Sequence, residues 1–398
     1  MVDLSWVLEK LFELHGAIPR RLWRDGRAFL PIHMLIEVTY RCNLRCNFCQ
    51  YLDIIEGRAK PFGPSAGDIE LAEIKRYIDA LPRGRLISFA GGETLVRKDF
   101  PEILAHAARR HRVHIITNGA LVDEEMARLY VGLAPKRLWQ NGLVLVEISL
   151  QGDEQLHDRI VQRKGSWRRA VEGLQHMVRL RNESGRQFPK FDLKLVITKD
   201  TVSEMVEFVH LAASLGVELV NFLAEHDLMG NAEGGQVQHL LRPQRVPEGV
   251  DPAFLRQQLI RSHALARDSG VQVRLTPNVP IDEFVRHYRD DRFLDSSEYV
   301  CEGPWSRVGV AADGRLSPMC PYAAGGDLRK ETLRSMWNGE RVRAFRRATQ
   351  TARIYAGCHG CCNLKYVGKK PYGLEGVAAI ESRLDLPVVE QPGRAVGM

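Results

Sequence analysis

The sequence lacks any continuous apolar run of the ~18 residues that a membrane-spanning helix requires. Near the N-terminus, Glu9, Lys10 and Glu13 interrupt the only early apolar region, which argues against a signal peptide. The net charge is +7, but the 56 Lys and Arg residues are interspersed with 49 Asp and Glu residues, without a basic block or arm. We therefore expect a cytoplasmic protein with no transmembrane segment and no nucleic-acid partner.

Short apolar runs alternate with amphipathic segments from residue 33 onward, and no internal repeat has a fixed period. This alternation predicts an α/β fold built on a parallel sheet. Periodicity alone allows both a partial barrel and an open doubly wound sheet, because right-handed crossovers fit either one. The predicted strands are His33–Tyr40, Arg85–Ala90, Val113–Thr117, Leu143–Leu150, Phe191–Thr198, Val217–Phe222 and Val271–Leu275.

The regular alternation does not cover the whole chain. Residues 4–15 carry a helix-like apolar stripe, and beyond about residue 280 the alternation stops and further cysteines begin. Two long loops, Gln50–Gly67 and Glu225–Pro252, follow strands and are expected near a functional face. The predicted divisions are an N-terminal helical extension (1–32), the main domain (33–280), a smaller C-terminal domain (281–372) and a tail (373–398).

Three of the eight cysteines lie close together directly after the first predicted strand. Cys42, Cys46 and Cys49 have the spacing C-x-x-x-C-x-x-C, and clustered thiols in a reducing compartment indicate metal ligation. Three thiolates can hold three irons of an iron-sulfur cluster and leave the fourth open. Buried core cysteines on one helix face and a catalytic zinc site are the alternatives. The polar residues between the thiols, Asn43, Arg45 and Asn47, argue against core packing.

The cysteine motif resembles that of the radical S-adenosylmethionine (SAM) superfamily, and later segments agree in the same order. Phe48 matches the aromatic position that in this family lies beside the adenine of the cofactor. Gly91, Gly92 and Glu93, which follow the second predicted strand, resemble the motif that binds the amino group of SAM. Two glycines allow the backbone to approach closely, and a carboxylate accepts hydrogen bonds from an ammonium group.

Two further strand ends resemble family segments near the ribose and carboxylate of SAM, and they contribute Asn118 and Ser149. The following helix departs from a related pattern, because Val161 stands where the family has an arginine; Arg159 or Arg163 is expected to supply that charge instead. The resemblance covers residues 33–225. It implies a partial (β/α)6 TIM-like barrel and reductive cleavage of SAM to a 5′-deoxyadenosyl radical.

The other five cysteines, Cys301, Cys320, Cys358, Cys361 and Cys362, follow residue 300. Residues 301–320 predict a hairpin with a cysteine at each outer end, and an apolar pattern predicts a helix around Leu333–Trp337. Four thiolates complete one 4Fe-4S cluster, although a structural zinc site uses similar spacings. The arrangement resembles the twitch domain, a shortened relative of the SPASM domain. Because Cys361 keeps the C-x-x-C spacing from Cys358, we expect it rather than Cys362 to be the fourth ligand.

The expected cofactors are SAM and two 4Fe-4S clusters, reduced by an external electron donor such as flavodoxin or ferredoxin. We expect a small-molecule substrate, with sugar-like or cyclitol dehydrogenation or epimerisation as typical reactions. The alternative is a SPASM-type maturase of a ribosomally synthesised peptide, although the ~32 residues before the first strand are fewer than a leader-binding domain needs. From another class, a non-enzymatic electron carrier or a zinc-stapled binding protein stays open. The sequence identifies no residue that acts on the substrate.

Overall fold

The computed structural model describes residues 14–58, 68–137, 139–225, 245–289, 294–320, 325–370 and 372. Most of the apolar stripe predicted over 4–15, half of the loop Gln50–Gly67, most of the loop Glu225–Pro252 and the predicted tail 373–398 lie outside the described residues. A helix, α1, covers residues 14–22. Of the helices in these ranges, none is long and apolar enough to cross a membrane.

Seven parallel strands form the centre of the molecule and confirm the predicted alternation. Their apolar residues point alternately toward the surrounding helices, as Met34 and Ile36 do, both fully buried. Each strand pairs with the next one in sequence, which is the order of a β-α barrel. The strands are β1 His33–Glu37, β2 Leu86–Ala90, β3 Arg112–Thr117, β4 Gly142–Ser149, β5 Lys190–Ile197, β6 Leu219–Ala224 and β7 Gln272–Thr276.

Helices follow most of these strands and bury their apolar faces against the sheet in one continuous core. Helices occupy the amphipathic segments between the predicted strands, whereas two short helices, Leu52–Ile55 and Glu154–Ile160, were not predicted. Through β7 the helices are α2 Leu52–Ile55, α3 Leu71–Ala80, α4 Phe100–Ala108, α5 Glu124–Gly132, α6 Glu154–Ile160, α7 Ser166–Glu183, α8 Met205–Ser214 and α9 Pro252–Ser269.

The sheet is consistent with a partial TIM-like barrel, and its run from β1 to β7 contains one parallel strand more than the six that the resemblance implied. The additional strand, β7, pairs with β6 from Leu219↔Gln272 to Leu223↔Thr276. It lies beyond residues 33–225, the stretch that the resemblance covers.

The C-terminal region extends the same sheet at the β1 edge. Strand β9 (Arg307–Val310) pairs with β1 in parallel, and β10 (Arg315–Ser317) and β11 (Gly326–Asp327) continue the sheet antiparallel. The remaining elements are β8 Tyr299–Cys301, β12 Leu364–Tyr366, α10 Ile281–Arg286, α11 Gly303–Ser306, α12 Leu333–Trp337 and α13 Glu340–Ala352. The sheet therefore connects the region after residue 300 directly to the strand that precedes Cys42.

The hairpin predicted over residues 301–320 is shorter in the structure and its outer end was predicted wrongly. The pairing runs only between β9 and β10. Cys301 instead lies on β8, which pairs with β12 in a separate two-stranded sheet. The reason is that α11, with Pro304 in its first turn, interrupts the chain between Cys301 and β9.

Candidate active site

The first three cysteines lie on one loop that begins shortly after β1. The N–H group of Cys49 donates to the carbonyl oxygen of Cys46 (3.1 Å), and the N–H group of Leu44 approaches the Cys42 sulfur (3.4 Å). Cys42, Cys46 and Phe48 pack against a small apolar group formed by Leu44, Leu156, Ile160 and Val161. The loop is therefore held between β1 and the end of α6.

The three thiols lie in surroundings that disfavour a free thiolate. Burial raises the pKa of Cys42 to about 11 and that of Cys46 to about 12, and it also raises the pKa of Cys49. The Cys49 and Cys42 thiols contribute further to the rise at Cys46, so the three groups are near one another. A cysteine binds a metal as its thiolate, so metal binding releases the thiol protons. The bound cations then offset the repulsion between the neighbouring negative sulfur atoms. The donor set therefore fits an iron-sulfur cluster.

A cluster differs from a single-ion site in the arrangement of its ligands. Within the described ranges, no group of three or more His, Cys, Asp and Glu side chains is arranged to hold one metal ion. In an iron-sulfur cluster each thiolate binds its own iron, so the sulfur atoms need not converge on one point. The loop is thus compatible with a cluster as its occupant.

Gly91 and Gly92 allow the end of β2 to lie directly against the chain that leads into the cysteine loop. The N–H group of Gly92 donates to the carbonyl oxygen of Thr39 (2.7 Å), and that of Glu93 to the carbonyl oxygen of Arg41 (2.9 Å). A Cβ atom on Gly91 would lie 2.3 Å from the Thr39 oxygen, and one on Gly92 2.3 Å from the Arg41 oxygen. Gly91 also has φ +134°. Any larger residue would separate Glu93 from the loop.

Glu93 is buried, with 1% of its surface exposed, and is fixed by four hydrogen bonds. Its Oε1 atom accepts from the Leu95 N–H group (3.1 Å) and from the hydroxyls of Thr94 (3.2 Å) and Thr117 (2.8 Å). Its Oε2 atom accepts from the Asn118 N–H group (2.7 Å). Burial raises the pKa of this carboxyl group, and the four donors oppose the rise. Oε2 retains capacity for one more donor, which fits the ammonium group of SAM.

Asn118 joins this carboxylate to the cysteine loop. Besides its N–H bond to Glu93, its side-chain Nδ2 donates to the Asn43 Oδ1 atom (2.8 Å). Ser149, at the end of β4, is aligned with Lys194 on β5. Five of the predicted residues are therefore assembled around the loop: Phe48, Gly91, Gly92, Glu93 and Asn118. Ser149 lies at the same edge of the sheet, at the carboxyl end of a neighbouring strand.

The two arginines predicted to face the SAM carboxylate have different positions. Arg163 follows α6 and donates to the carbonyl oxygen of Asn43 (2.9 Å), which brings it to the cysteine loop. Arg159 lies on the exposed face of α6. Their contact with the cofactor stays a prediction.

Sequence reasoning missed two buried residues that fix the chain just after β1 and just after β4. Arg97, with 6% of its surface exposed, donates from Nη1 to the carbonyl oxygens of Val38 (2.9 Å) and Ile69 (2.6 Å) and thereby fixes the chain between β1 and Cys42. His157 is fully buried and accepts from the Gln151 N–H group (3.1 Å) through Nδ1. Burial lowers the pKa of His157 to about 4, so this acceptor stays neutral. No spacing signal in the sequence identifies either residue.

The interior face of the sheet also carries a buried ionic pair that the sequence analysis did not identify. Lys194 Nζ donates to Glu147 Oε1 (2.9 Å), and Asn221 Nδ2 lies 3.4 Å from Glu147 Oε2. Burial acts to raise the pKa of Glu147, but the Lys194 ammonium and neighbouring cations hold it at about 2. Along a strand, residues on the interior face alternate with core residues such as Met34 on β1. This alternation was the available signal for Lys194 and Glu147.

Four of the five later cysteines come together from three separate segments. Burial raises the pKa of Cys301, and the nearby Cys358 and Cys320 thiols raise it further. A hydrogen bond with Cys362 and burial raise the pKa of Cys361, with further contributions from Cys358 and Cys301. Cys301, Cys320, Cys358 and Cys361 are thus neighbours, and their assignment as the four ligands of one closed cluster stays a prediction.

Cys362 has a different environment from Cys361. It is exposed, whereas Cys361 is half-buried. Beyond its hydrogen bond with Cys361, its charged neighbours are Arg307 on β9 and Lys194 on β5. Cys362 therefore lies near cations of the sheet interior, and the choice of Cys361 as the fourth ligand stays a prediction.

The residues around the first loop can hold a reactive cofactor and orient it. SAM bound at an iron-sulfur cluster supplies one-electron cleavage and hydrogen-atom abstraction. For such a cofactor the chain offers three clustered thiols, a close backbone approach at Gly91 and Gly92, and a buried acceptor at Glu93. His157 and Arg97 keep the two supporting strand ends in place.

Two segments of the chain match known families. Residues 36–212 match the Radical SAM superfamily. Residues 301–362 match SPASM, an iron-sulfur cluster-binding domain. The first match contains Cys42, Cys46 and Cys49, and the second contains the four neighbouring later cysteines. Each family match therefore coincides with one of the two thiol groups.

Several curated proteins are similar to this chain. The mycofactocin maturase MftC of Mycolicibacterium smegmatis is 31% identical over 206 residues (51% of this chain, 47% of the maturase). The Fe-coproporphyrin III synthase of Methanosarcina barkeri is 33% identical over 199 residues (46% and 44%). These alignments span about half the length of each relative. The PqqA peptide cyclase of Granulibacter bethesdensis is 30% identical over 348 residues, 83% of this chain and 79% of the cyclase.

The crystal structure of Streptococcus suis SuiB bound to S-adenosylmethionine has the same fold. It superposes with a TM-score of 0.58 at 15% identity and covers 87% of this chain and 74% of that one. The two family matches and the extended similarity to the cyclase show that this chain belongs to the radical SAM superfamily and carries a C-terminal SPASM domain, as an enzyme that uses SAM and 4Fe-4S clusters.

Proposed function

We propose that this enzyme modifies a ribosomally synthesised peptide through hydrogen abstraction. The observation that carries the proposal is the similarity to the PqqA peptide cyclase, which extends over 83% of this chain and 79% of the cyclase. The similarity to mycofactocin maturases supports the same class of substrate. The comparisons therefore favour the peptide alternative over the small-molecule substrate expected from the sequence.

The placement of the two thiol groups supports modification rather than simple electron carriage. An electron carrier needs no acceptor for an ammonium group, whereas Glu93 is buried beside the first loop with one oxygen that retains acceptor capacity. The four later thiols form a closed set, which suits a cluster that exchanges electrons without binding SAM. An external donor of the flavodoxin or ferredoxin type would supply the electron for each cleavage.

A second candidate is the modification of a porphyrin. The Fe-coproporphyrin III synthase is 33% identical over 199 residues, so about half of this chain is as similar to a porphyrin enzyme as to the maturases. The extended similarity to the cyclase makes the peptide the first substrate to test.

The test uses the anaerobically reconstituted holoenzyme with SAM and dithionite. One reaction contains short precursor-like peptides encoded beside the gene, and a parallel reaction contains coproporphyrin. We expect a change in peptide mass by the loss of hydrogen atoms, and transfer of deuterium from a labelled peptide into 5′-deoxyadenosine. The Cys42→Ala/Cys46→Ala/Cys49→Ala variant is the control and should produce neither signal.

The two substrate classes give opposite results in this assay. Deuterium transfer from labelled coproporphyrin, with unchanged peptides, would assign the enzyme to the porphyrin class. SAM cleavage that neither substrate accelerates, across all the neighbouring precursor peptides, would contradict the peptide proposal.

A further inference from the structure

On its outer side, the first cysteine loop is separated from solvent by one turn of the chain, which lies between α6 and α7. The N–H groups of Arg45 and Asn47 donate to the carbonyl oxygens of Val161 (3.0 Å) and Ile160 (3.2 Å). The next residues form the turn between α6 and α7, from which Arg163 reaches back to the Asn43 carbonyl. Because electron transfer slows steeply with distance, a donor seated on this turn would have a short path to the loop.

The turn carries a group of exposed cations that we call the α6–α7 basic patch. It consists of Arg159, Arg163, Lys164 and Arg169, all of them exposed. Among the residues that the structure describes, no carboxylate forms an ion pair with any of the four. Other exposed arginines near the loop do have such partners: Arg41 pairs with Asp68 (3.0 Å), Arg58 with Asp53 (2.7 Å) and Arg168 with Glu154 (2.7 Å).

One residue of the patch has a charge that is unfavourable for the helix that carries it. Arg169 lies near the start of α7, whose first turn contains no acidic residue, whereas Arg159 lies in the last turn of α6, where a cation is favourable. Cations near a helix N-terminus oppose the helix dipole. By contrast, the first turn of α5 contains Glu124 and Glu125. An anionic partner that covers this unpaired charge would offset its cost to helix stability.

We propose that the α6–α7 basic patch docks a small acidic electron-transfer protein and so places its redox group over the Cys42–Cys49 loop. One electron passes from the reduced partner to the cluster, the partner is oxidised by one electron, and no bond is made or broken at the surface. Opposite charges on the two surfaces accelerate encounter and fix orientation. The inference rests on the reductive cleavage of SAM, and it does not depend on whether the substrate is a peptide.

The test compares two charge-reversal variants of the holoenzyme. Lys164→Glu/Arg169→Glu changes the patch without altering any predicted ligand of the cluster or of SAM. Arg334→Glu/Arg341→Glu is the matched control, because both arginines are exposed on α12 and α13. An acidic flavodoxin is the probe. Its affinity is measured by calorimetry, and the rate of cluster reduction by its hydroquinone is measured by stopped-flow absorbance.

At low ionic strength, the patch variant should bind flavodoxin about tenfold more weakly or worse and be reduced correspondingly more slowly, since steering contributes on the order of 10- to 1000-fold to association. The control variant should match the parent. At about 1 M salt, where the screening length is about 3 Å, the difference should largely vanish. Reduction by dithionite should be the same in all three proteins.

Equal flavodoxin binding by the patch variant and the control variant would overturn the proposal. So would a patch variant that keeps flavodoxin binding but loses affinity for an acidic precursor peptide, because the patch would then belong to the substrate. If charge reversal also slows dithionite reduction, the milder Lys164→Gln/Arg169→Gln variant decides, and it should still show weaker flavodoxin binding. A failed peptide assay leaves these outcomes unchanged, so the two proposals are tested separately.

Discussion

The two thiol groups of this enzyme are built in different ways. The first comes from a single loop, Cys42–Cys49, whose three cysteines are fixed by their own spacing and by the adjoining strand ends. The second joins Cys301 on β8, Cys320 after β10, and Cys358 and Cys361 after α13. The first is local in sequence, whereas the second exists only when distant segments have folded together.

This difference in construction predicts different contributions of the two thiol groups to SAM chemistry and to folding. A local loop can keep one iron open, because no other segment is needed to complete it. A set of four thiols from three segments closes its cluster and holds those segments together. We therefore expect the first group to determine SAM chemistry and the second to contribute more to folding.

The largest expected effects come from removing each thiol group in turn. Cys42→Ala/Cys46→Ala/Cys49→Ala should abolish SAM cleavage and retain about half of the parent's iron, since the ligand sets predict about eight irons in two clusters. Replacing Cys301, Cys320, Cys358 and Cys361 by alanine should also remove about half of the iron, but with the larger fall in Tm, because metal binding is coupled to folding.

Iron and sulfide assays, Mössbauer spectroscopy and anaerobic calorimetry measure these quantities. About four irons with one zinc in the parent protein would contradict the second cluster while leaving the first intact. An equal fall in Tm for the two variants would remove the proposed distinction between the groups.

The adjacent pair Cys361 and Cys362 sharpens the comparison within the second group. Cys361→Ala should reduce the iron content by up to about half, because a closed cluster loses one of its four ligands. Cys362→Ala should retain the parent's iron, since its side chain faces Arg307 and Lys194. Electron paramagnetic resonance of the reduced proteins provides the readout. Loss of the cluster signal only in Cys362→Ala would reverse the assignment.

A smaller effect is expected when the first site keeps its iron but loses the acceptor for SAM. Glu93→Gln removes a charge-assisted hydrogen bond of about 1.5–3 kcal/mol, which corresponds to about a 10- to 150-fold weaker affinity for SAM. Thr117→Val is the matched control, because it removes one donor to Glu93 and leaves the carboxylate in place. Titration of the reconstituted protein with SAM measures both. Equal affinities in the parent and in Glu93→Gln would show that this segment is a structural turn.

The smallest effect concerns pH and the support of the first site by His157. Its pKa in the folded protein is about 4, below the ordinary value of 6.5, so the unfolded chain binds the proton more readily between these values. Stability should therefore fall as the pH drops from 6.5 to 4, by up to about 1.4 kcal/mol per pH unit from this residue. His157→Asn keeps an acceptor near Gln151 and cannot titrate, so its stability should depend less on pH.

Urea unfolding at pH 7, 6 and 5 under anaerobic conditions measures this dependence. Parallel slopes for the parent and the His157→Asn variant would contradict the assignment. A matched substitution of the half-buried His176, which lies on α7 and is 3.9 Å from Glu172, controls for the removal of a histidine elsewhere in the fold.

The sequence predicted those parts of the fold that depend on neighbouring residues. All seven parallel strands follow from apolar runs, and the first loop follows from the spacing of its thiols. The helix α6 was not predicted, because its seven residues give a weak periodic signal and it is stabilised by packing Leu156 and Ile160 on the cysteine loop.

The missed features depend on tertiary contacts. The pairing of β9 with β1 joins residues more than 270 positions apart, and no local pattern encodes it. The buried pair of Lys194 and Glu147 lies on strands that the periodicity assigned correctly, but its position in the interior of the sheet requires the curvature of that sheet. Arg97 likewise acts through the carbonyl groups of Val38 and Ile69, which the sequence does not connect to it.

The pairing of β9 with β1 limits how this chain can be divided or recombined. From His33↔Arg307 to Ile36↔Val310, the C-terminal segment supplies hydrogen-bonding partners along nearly the whole of β1. A chain cut after residue 280 would leave that edge unpaired, and exposed edges promote aggregation. Exchange of the C-terminal part between relatives therefore requires a donor segment that restores this pairing. A chimera chosen only for its four cysteines would leave the strand that leads to Cys42 at the edge of the sheet.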